Sequence, residues 1–232
     1  MIAYENFLKA VFTDTKGIDL PYRYYDPKLG EGRPLLIFLH GAGERGTDNE
    51  KTLNHVSPFF EEYALDMEKY GAYYLVPQCG LDHKWAETPW ENGSYNQDNL
   101  PISKYLSAAK ELIDTFVEEN KIDKSRIYIM GCSMGGYGTW DMITRFPDYF
   151  KAAMPICGGG DPSKAHLIKH MPIWTFHGDA DEAVPVSASR DMVNALKEVG
   201  ADIIYTEIPG WGHHAWKVAH DSRIVYDWLF SR

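Results

Sequence analysis

One serine lies in a setting that could make it a nucleophile. Residues 131–135 read Gly-Cys-Ser-Met-Gly, the pattern Gly-x-Ser-x-Gly, with Ser133 at its centre. A predicted strand precedes it at residues 126–130, and a predicted helix follows at residues 137–145. A turn this tight strains the backbone of the serine and projects its hydroxyl above the sheet, at a helix N-terminus where negative charge is favoured. Ser133 is therefore our candidate nucleophile, and a plain glycine-rich turn is the alternative.

A serine hydroxyl needs a base, and the base needs a carboxylate that orients it. After a serine in such a turn, the acid is expected next in the chain and the histidine last. The predicted strand at residues 173–176 ends in a loop that holds Asp179, Asp181 and Glu182. We expect Asp181 to be the acid because it lies deeper in this loop, before a Val-Pro pair. Asp179 is the alternative, with turn formation as its simpler role, and Glu182 is expected to be a solvated charge.

The base is expected in the glycine-rich loop after a predicted strand at residues 203–208. His213 follows a glycine in this loop and is our candidate, with His214 as the alternative. Two other histidines, His166 and His170, are spaced by one helical turn, which could hold a metal. They lack the glutamate of the His-Glu-x-x-His pattern, so we interpret them as surface residues and predict no metal or organic cofactor.

Acyl transfer also requires N–H donors for the negatively charged oxygen of the intermediate. One is expected from Met134, directly after the serine, and the second from the loop after an early strand. The predicted strand at residues 35–39 leads into residues 40–46, where we expect the Ala42 N–H to be the second donor. Loss of one such donor typically raises the barrier by about 2.7–4 kcal/mol. A phosphate-binding loop is the alternative, but the Gly-Lys-Ser/Thr ending is missing.

The elements that must position these side chains alternate along the chain. Short apolar runs predict strands, and amphipathic stretches between them predict helices. Strands are expected at residues 35–39, 73–76, 126–130, 152–156, 173–176 and 203–208, and helices at residues 102–119, 137–145, 187–199 and 222–229. This alternation predicts an α/β fold with a mostly parallel sheet and helices on both faces. We also expect an antiparallel edge hairpin at residues 10–25, a long loop at residues 82–99, and one domain over residues 1–232.

The composition limits what the chain can bind. It has 232 residues, and 23 basic against 33 acidic residues give a net charge of −10, which argues against nucleic acid as a partner. No apolar run is long enough to span a bilayer, and the N-terminus lacks the pattern of a signal peptide, which favours the cytoplasm. The three cysteines, Cys79, Cys132 and Cys157, are spaced unlike a disulfide framework or a zinc site. The sequence does not determine the oligomeric state.

Taken together, these motifs resemble the α/β-hydrolases of the compact esterase type. The chain is similar to the group of carboxylesterases, feruloyl esterases and polyhydroxybutyrate depolymerases, some of which are labelled peptidases. The resemblance covers residues 20–228 and rests on residues 39–46, 123–128, 131–140, 155–162 and 212–216 and on the Asp181 loop. It implies Ser133 as nucleophile, Asp181 as acid, His213 as base, and the N–H groups of Ala42 and Met134 as the oxyanion hole. Cys132 stands where commoner members have an apolar residue such as Leu, and we expect it to be a small buried side chain.

The expected function is hydrolysis of a small carboxylic ester through an acyl-enzyme. Little sequence separates the nucleophile from the acid loop, so we expect little or no lid domain and an open site that favours short-chain or aryl esters. Trp85, Trp90 and Trp211 are candidates for the substrate pocket, although the first two could instead pack under their own loop. A peptidase or an acyltransferase could use the same triad, and a non-catalytic binding module is the alternative from another class.

Overall fold

Within the residues described, eight strands form one central sheet. The computed structural model describes residues 6–55 and 69–232. In chain order the strands are β1 (Leu8–Thr13), β2 (Asp19–Tyr25), β3 (Leu35–Leu39), β4 (Tyr73–Pro77), β5 (Ile127–Cys132), β6 (Ala152–Ile156), β7 (Ile173–Gly178) and β8 (Ile203–Ile208). Their order across the sheet is β1-β2-β4-β3-β5-β6-β7-β8. The pairs β1–β2 and β2–β4 are antiparallel and all other neighbours are parallel, so the carboxyl ends of β3 to β8 lie at one edge.

The central strands are buried on both faces because their side chains alternate between two cores. Every residue of β3, with the sequence Leu-Leu-Ile-Phe-Leu, is buried. Leu35, Ile37 and Leu39 pack in one core, whereas Leu36 and Phe38 pack in the other. Burial of each such side chain contributes about 1.5–3 kcal/mol. A continuous apolar run is therefore what a strand covered on both sides requires.

Helices cover both faces of the sheet. They are α1 (Lys104–Glu119), α2 (Met134–Arg145), α3 (Ser187–Glu198), α4 (Trp216–His220) and α5 (Arg223–Phe230). Helices α1 to α3 pack in the core that holds Leu35, and α4 and α5 pack in the core that holds Leu36. The Ser103 hydroxyl caps α1 by accepting the Leu106 N–H at 3.0 Å. In the part of the chain described, no helix combines the length and apolarity needed to cross a bilayer.

The structure confirms the predicted α/β architecture, with corrections at the ends of two strands. The hairpin expected at residues 10–25 is β1 and β2, at the edge of the sheet. Strand β5 continues to Cys132 and α2 begins at Met134, so the turn between them is shorter than the sequence pattern indicated. Strand β7 continues to Gly178 because its pairing with β8 extends that far. The organisation as one domain stays a prediction.

Candidate active site

Ser133 occupies the turn between β5 and α2. Its backbone has φ 57° and ψ −119°, a strained conformation for a residue with a side chain. Two backbone hydrogen bonds hold the turn: Ser133 N–H donates to the Ile156 carbonyl at 2.9 Å, and Tyr137 N–H donates to the Ser133 carbonyl at 3.1 Å. The serine thus lies at the carboxyl edge of the sheet and at the N-terminus of a helix, the position that a nucleophile elbow requires.

The glycines around Ser133 allow backbone segments to approach very closely. A Cβ at Gly135 would lie 1.8 Å from the carbonyl oxygen of Leu39, at the end of β3. A Cβ at Gly131 would lie 2.5 Å from the Gly135 carbonyl oxygen. No side chain fits at either distance, so these positions require glycine. The close packing sets the start of α2 directly against the loop that follows β3.

The three side chains predicted to act together lie within hydrogen-bonding distance. His213 Nε2 lies 2.8 Å from Ser133 Oγ, and His213 Nδ1 lies 2.7 Å from Asp181 Oδ2. An ionised carboxylate only accepts hydrogen bonds, so we assign the ring proton to Nδ1. Nε2 can then accept the serine proton. The three residues follow or end β5, β7 and β8, whose carboxyl ends lie at the same edge of the sheet.

The two alternative residues have other roles. Asp179 is exposed, and its Oδ1 accepts the Gly210 N–H at 2.7 Å, so it connects its own turn to a turn distant in the chain. His214 is exposed, and its ring packs edge-on against Trp216 with centroids 5.0 Å apart. Of the two carboxylates and two imidazoles considered, it is Asp181 and His213 that the structure brings to Ser133.

The two histidines spaced by one helical turn do not face a common site. His166 and His170 are exposed, and their rings contact different backbone carbonyls, those of Ser163 and Pro147. Across residues 6–55 and 69–232, no group of three or more His, Cys, Asp or Glu side chains is arranged to hold a metal ion.

The Asp181 side chain is fully buried and strongly held in its ionised form. Burial acts to raise the pKa of its carboxyl. Hydrogen bonds from His177, His213 and the Val184 N–H outweigh that effect and hold the pKa well below its ordinary value. A carboxylate that stays ionised can orient the His213 ring and stabilise the imidazolium that forms when the ring takes a proton.

The two predicted oxyanion donors start two helices beside the nucleophile. Met134 is the first residue of α2, and Ala42 is the first residue of a short 3-10 helix, Ala42–Glu44. N–H groups at the start of a helix have no acceptor within the helix, so both can donate to a substrate oxygen. A Cβ at Gly41 would lie 3.7 Å from Ser133 Cβ, so the loop that carries Ala42 runs alongside the serine.

His40 holds in place the loop at residues 40–46 that carries Ala42, which we call the oxyanion loop. This role was missed by the sequence analysis. Its Nε2 accepts the Cys79 N–H at 2.9 Å, and its Nδ1 donates to the Gly41 carbonyl at 2.6 Å. Burial lowers the pKa of His40 to about 4, although the bond to Gly41 opposes this shift, so the ring stays neutral near pH 7. The sequence signal that could have identified this role is the position of His40 directly after an apolar strand.

Trp85 corrects one expectation about the substrate pocket. Its side chain has no exposed surface, and its indole N–H donates to the His40 carbonyl at 3.1 Å. The ring also packs edge-on against the His40 imidazole, with centroids 5.3 Å apart. Trp85 therefore packs against His40 of the oxyanion loop in the protein interior and does not line an open pocket.

Trp90 and Trp211 remain candidates for the pocket. Trp90 is half-buried, and its carbonyl accepts the Tyr137 hydroxyl proton from α2 at 3.0 Å. Trp211 is 41% exposed, and its carbonyl accepts the Ala180 N–H of the acid loop at 3.0 Å. The backbones of these two residues are thus anchored to the helix and the loop that hold the nucleophile and the acid.

An acid–histidine pair on the oxyanion side was also missed. His55 Nε2 lies 3.0 Å from Glu44 Oε2, and a Cβ at Gly41 would lie 3.1 Å from that same oxygen. Burial acts to raise the pKa of Glu44, but the hydrogen bond and charge of His55 lower it by more than burial raises it. The carboxylate is therefore ionised near pH 7. No motif connects these two residues in the sequence, because they meet only through the loop after β3.

Known proteins resemble this chain in sequence and in structure. The model of the phospholipase/carboxylesterase family matches residues 28–222. A solved structure described as a thermostable esterase is 38% identical, with a TM-score of 0.88, and covers 98% of this chain and 63% of its own. A ferulic acid esterase structure is 15% identical, with a TM-score of 0.72, and covers 97% of this chain and 98% of its own; at that identity the likeness concerns the fold.

Among curated relatives, poly(3-hydroxyalkanoate) depolymerase C of Paucimonas lemoignei is 40% identical over 142 residues, which are 60% of this chain and 31% of the depolymerase. The chain spans 43% and 21% of two other curated relatives, from Nocardia uniformis subsp. tsuyamanensis and Arthroderma benhamiae; the latter is named a secreted protein. These relatives therefore extend well beyond the matched part. Since the family model matches most of the chain, and the sheet carries helices on both faces, the protein belongs to the phospholipase/carboxylesterase family of α/β-hydrolases.

Proposed function

We propose that the protein hydrolyses carboxylic esters through a covalent intermediate on Ser133. The observation that carries this proposal is the chain of two hydrogen bonds from Ser133 Oγ through His213 to Asp181, at 2.8 and 2.7 Å. A serine hydroxyl becomes a useful nucleophile when a neutral imidazole can remove its proton. The family and the 38% identical esterase structure support an ester as the substrate class.

In the first half of the reaction, Ser133 Oγ attacks the ester carbonyl carbon while its proton moves to His213 Nε2. The carbonyl oxygen becomes an oxyanion, which accepts hydrogen bonds from the N–H groups of Ala42 and Met134. Asp181 stabilises the imidazolium without taking the proton itself. The intermediate then collapses, and His213 gives the proton to the departing alcohol, which leaves an acyl group on Ser133.

In the second half, water repeats these steps on the acyl-enzyme. His213 Nε2 removes a proton from the water as its oxygen attacks the acyl carbon, and the same donors stabilise the second oxyanion. Collapse releases the carboxylic acid, and the proton returns to Ser133 Oγ. Because the base must be neutral at both steps, activity rises with pH across the range in which imidazole loses its proton.

For the substrate we propose small esters with a short-chain or aryl acyl group. Between Ser133 and Asp181, a part of the chain that is fully described, all helices and strands belong to the sheet or pack beside it, and none forms a separate lid. The exposed indole of Trp211 offers flat apolar surface that suits an aromatic ring. Trp90 is half-buried, and Lys84 Nζ lies over its ring at 4.3 Å from the centroid. An open site of this kind buries little of a long acyl chain.

The test is a series of chromogenic esters from acetyl to palmitoyl, together with an aryl ester, with the Ser133→Ala variant as control. We expect turnover to be highest for short or aryl acyl groups, and Ser133→Ala to lower kcat by about 10⁶. Near-parental turnover in that variant would remove Ser133 from the mechanism. A palmitate optimum would contradict the substrate class while leaving the mechanism intact.

Three further measurements separate the alternatives that use the same fold. An amide matched to the best ester tests for a peptidase, because an amine is a poorer leaving group than an alcohol. An added alcohol acceptor tests for acyl transfer in place of hydrolysis. A covalent organophosphonate probe tests for a non-catalytic module, since such a module has no activated serine to label.

A further inference from the structure

The Asp181 carboxylate is surrounded by four hydrogen-bond donors, and of the two imidazoles among them only His213 has a role in the mechanism above. Its Oδ1 faces the N–H groups of Ala183 and Val184, each at 2.9 Å. Its Oδ2 faces His213 Nδ1 at 2.7 Å and His177 Nε2 at 3.1 Å. Two imidazoles therefore share one oxygen of the acid. Each carboxylate oxygen has two lone pairs, so this set of donors completes its coordination.

His177 is the penultimate residue of β7 and is fully buried, and its partners determine which nitrogen holds the proton. Nε2 faces two acceptors, the Asp181 carboxylate and the Val184 carbonyl at 3.0 Å. Two acceptors at one nitrogen require a proton on Nε2. Nδ1 lies 2.8 Å from Ser189 Oγ, which in turn lies 3.0 Å from the Gly158 carbonyl. A hydroxyl can donate to Nδ1 or accept from it, so the Nε2 proton lies between the Asp181 carboxylate and the Val184 carbonyl whether the ring is neutral or charged.

We propose that His177 is a positioning residue for the triad: its Nε2–H holds the Asp181 carboxylate in the orientation that His213 needs and draws part of its negative charge away from His213. This inference rests on the function proposed above and adds a residue to it. On the side away from Asp181, the ring contacts Ser189 of α3, whose hydroxyl in turn contacts the carbonyl of Gly158 in the segment after β6. Asp181 is thus held between the two imidazoles and the backbone of its own loop.

This role predicts opposite effects on rate and on titration when the donor is removed. Without the His177 N–H, the carboxylate is less firmly oriented, so kcat falls. Its charge is also less shared, so it stabilises the His213 imidazolium more strongly, and the His213 titration moves to higher pH. A residue that only fills space would lower stability and kcat without moving that titration.

Neighbouring titratable groups whose pKa values are shifted by their surroundings keep the same charge state over the pH range in which imidazole titrates. The pKa values of Cys157 and Tyr137 are raised by burial and then by the charge of Asp181, so both stay neutral. Glu207 lies opposite His177 on β8, where Arg190 binds it at 2.6 and 2.8 Å and holds its pKa low, at about 2. The ring of Trp216 packs edge-on against His213 and does not titrate.

The experiment compares two substitutions that each keep half of the His177 hydrogen bonds. His177→Gln places an amide N–H near the position of Nε2 and keeps the donor to Asp181. His177→Asn places an amide near the position of Nδ1 and keeps only the contact with Ser189. Ser189→Ala is the matched control, because it removes the Nδ1 partner and leaves the donor to Asp181 in place.

Two readouts are followed in all variants. The first is the acid limb of kcat/KM for a chromogenic acetate ester. The second is an NMR titration of ¹³C-labelled histidine in a Ser133→Ala background, where the His213 signal is identified by its loss on His213→Asn. We expect the His213 midpoint to rise by roughly one pH unit in His177→Asn and to stay near the parental value in His177→Gln and Ser189→Ala. We expect kcat to fall by about 10- to 100-fold in His177→Asn and less in His177→Gln.

Equal midpoints in the Asn and Gln variants would overturn the proposal. If His177→Asn does not fold, ¹⁵N shifts of the His177 ring in the parental protein decide: a proton on Nε2 supports the proposal, and a bare Nε2 overturns it. The NMR readouts require no turnover, so a protein without esterase activity would refute the proposed function and still report on His177.

Discussion

At the scale of single residues, three imidazoles near the site differ in what they can do because their partners differ. His40 is buried, with one nitrogen accepting a backbone N–H and the other donating to a carbonyl, so neither nitrogen is open to substrate. His177 is buried between a carboxylate and a hydroxyl. The His213 side chain is 22% exposed, and one of its nitrogens faces the nucleophile. Partner chemistry and access, more than residue type, therefore assign the role of base.

Asp181→Asn tests the carboxylate. The amide has only one acceptor oxygen, and its NH₂ group can force His213 into the tautomer that carries the proton on Nε2, where it cannot accept the serine proton. We expect kcat to fall by about 10⁴. Steady-state kinetics on a short-chain ester measures this loss. Asp179→Asn is the matched control, since its amide oxygen can still accept the Gly210 N–H; an equal loss in both variants would argue against Asp181 as the acid.

Buried histidines also make stability depend on pH. Burial lowers the pKa of His40 to about 4 and, for the same reason, the pKa of His220 to about 3, below the ordinary value near 6.5. Between these values the unfolded chain binds protons that the folded chain excludes, so the free energy of unfolding falls as pH drops below about 6.5. Each imidazole contributes a slope of about 1.4 kcal/mol per pH unit.

His40→Gln should remove one such contribution, because its amide can still donate and accept but does not titrate. Denaturant unfolding between about pH 5 and pH 6.5, above the range in which most carboxylates titrate, measures the slope. We expect the variant to show a shallower dependence than the parent by about one proton. Identical slopes in the two proteins would contradict a neutral, buried His40.

At the scale of elements, the sequence predicts what depends on local pattern. Apolar runs identify β3 to β8, and the Gly-x-Ser-x-Gly pattern identifies the turn at Ser133, because strand burial and tight turns impose requirements on neighbouring residues. The sequence does not distinguish Trp85, which is buried, from Trp90, which is half-buried, since both lie in a loop without a period. Likewise, the contact of His177 with Asp181 depends on how β7 and its loop fold back, which no spacing rule describes.

Gly135→Ala tests the packing between α2 and β3. The added methyl would lie 1.8 Å from the Leu39 carbonyl oxygen, so the start of α2 must move away from the oxyanion loop. We expect a loss of at least about 2 kcal/mol in unfolding free energy and a fall in kcat, because the Met134 N–H moves with the helix.

Gly43→Ala is the matched control, since a Cβ there meets nothing within 4 Å. Thermal unfolding and kcat are measured for both variants. The Gly43 variant should retain the Tm and the kcat of the parent. Parental stability in Gly135→Ala would show that the helix and the loop are not packed as closely as described.

At the scale of the whole molecule, charge affects which substrates reach the site. The chain carries a net charge of −10, so its field attracts cations and repels anions. Ionised Glu44 lies within the oxyanion loop, where His55 pairs with it, and exposed Asp179 and Glu182 flank the acid. A cationic ester should therefore be concentrated near the site relative to a neutral ester of the same shape.

Acetylcholine and 3,3-dimethylbutyl acetate form such a pair, because a quaternary ammonium in the first replaces a quaternary carbon in the second. We expect the ratio of their kcat/KM values, cation over neutral, to exceed one at about 0.01 M salt, where charges act over roughly 30 Å. At about 1 M salt the screening length is roughly 3 Å, and the ratio should fall several-fold. The neutral ester controls for effects of salt on the enzyme itself. A ratio that does not change with salt would contradict this prediction. Substrate selection would then depend on contacts within the pocket and not on the net charge of the protein.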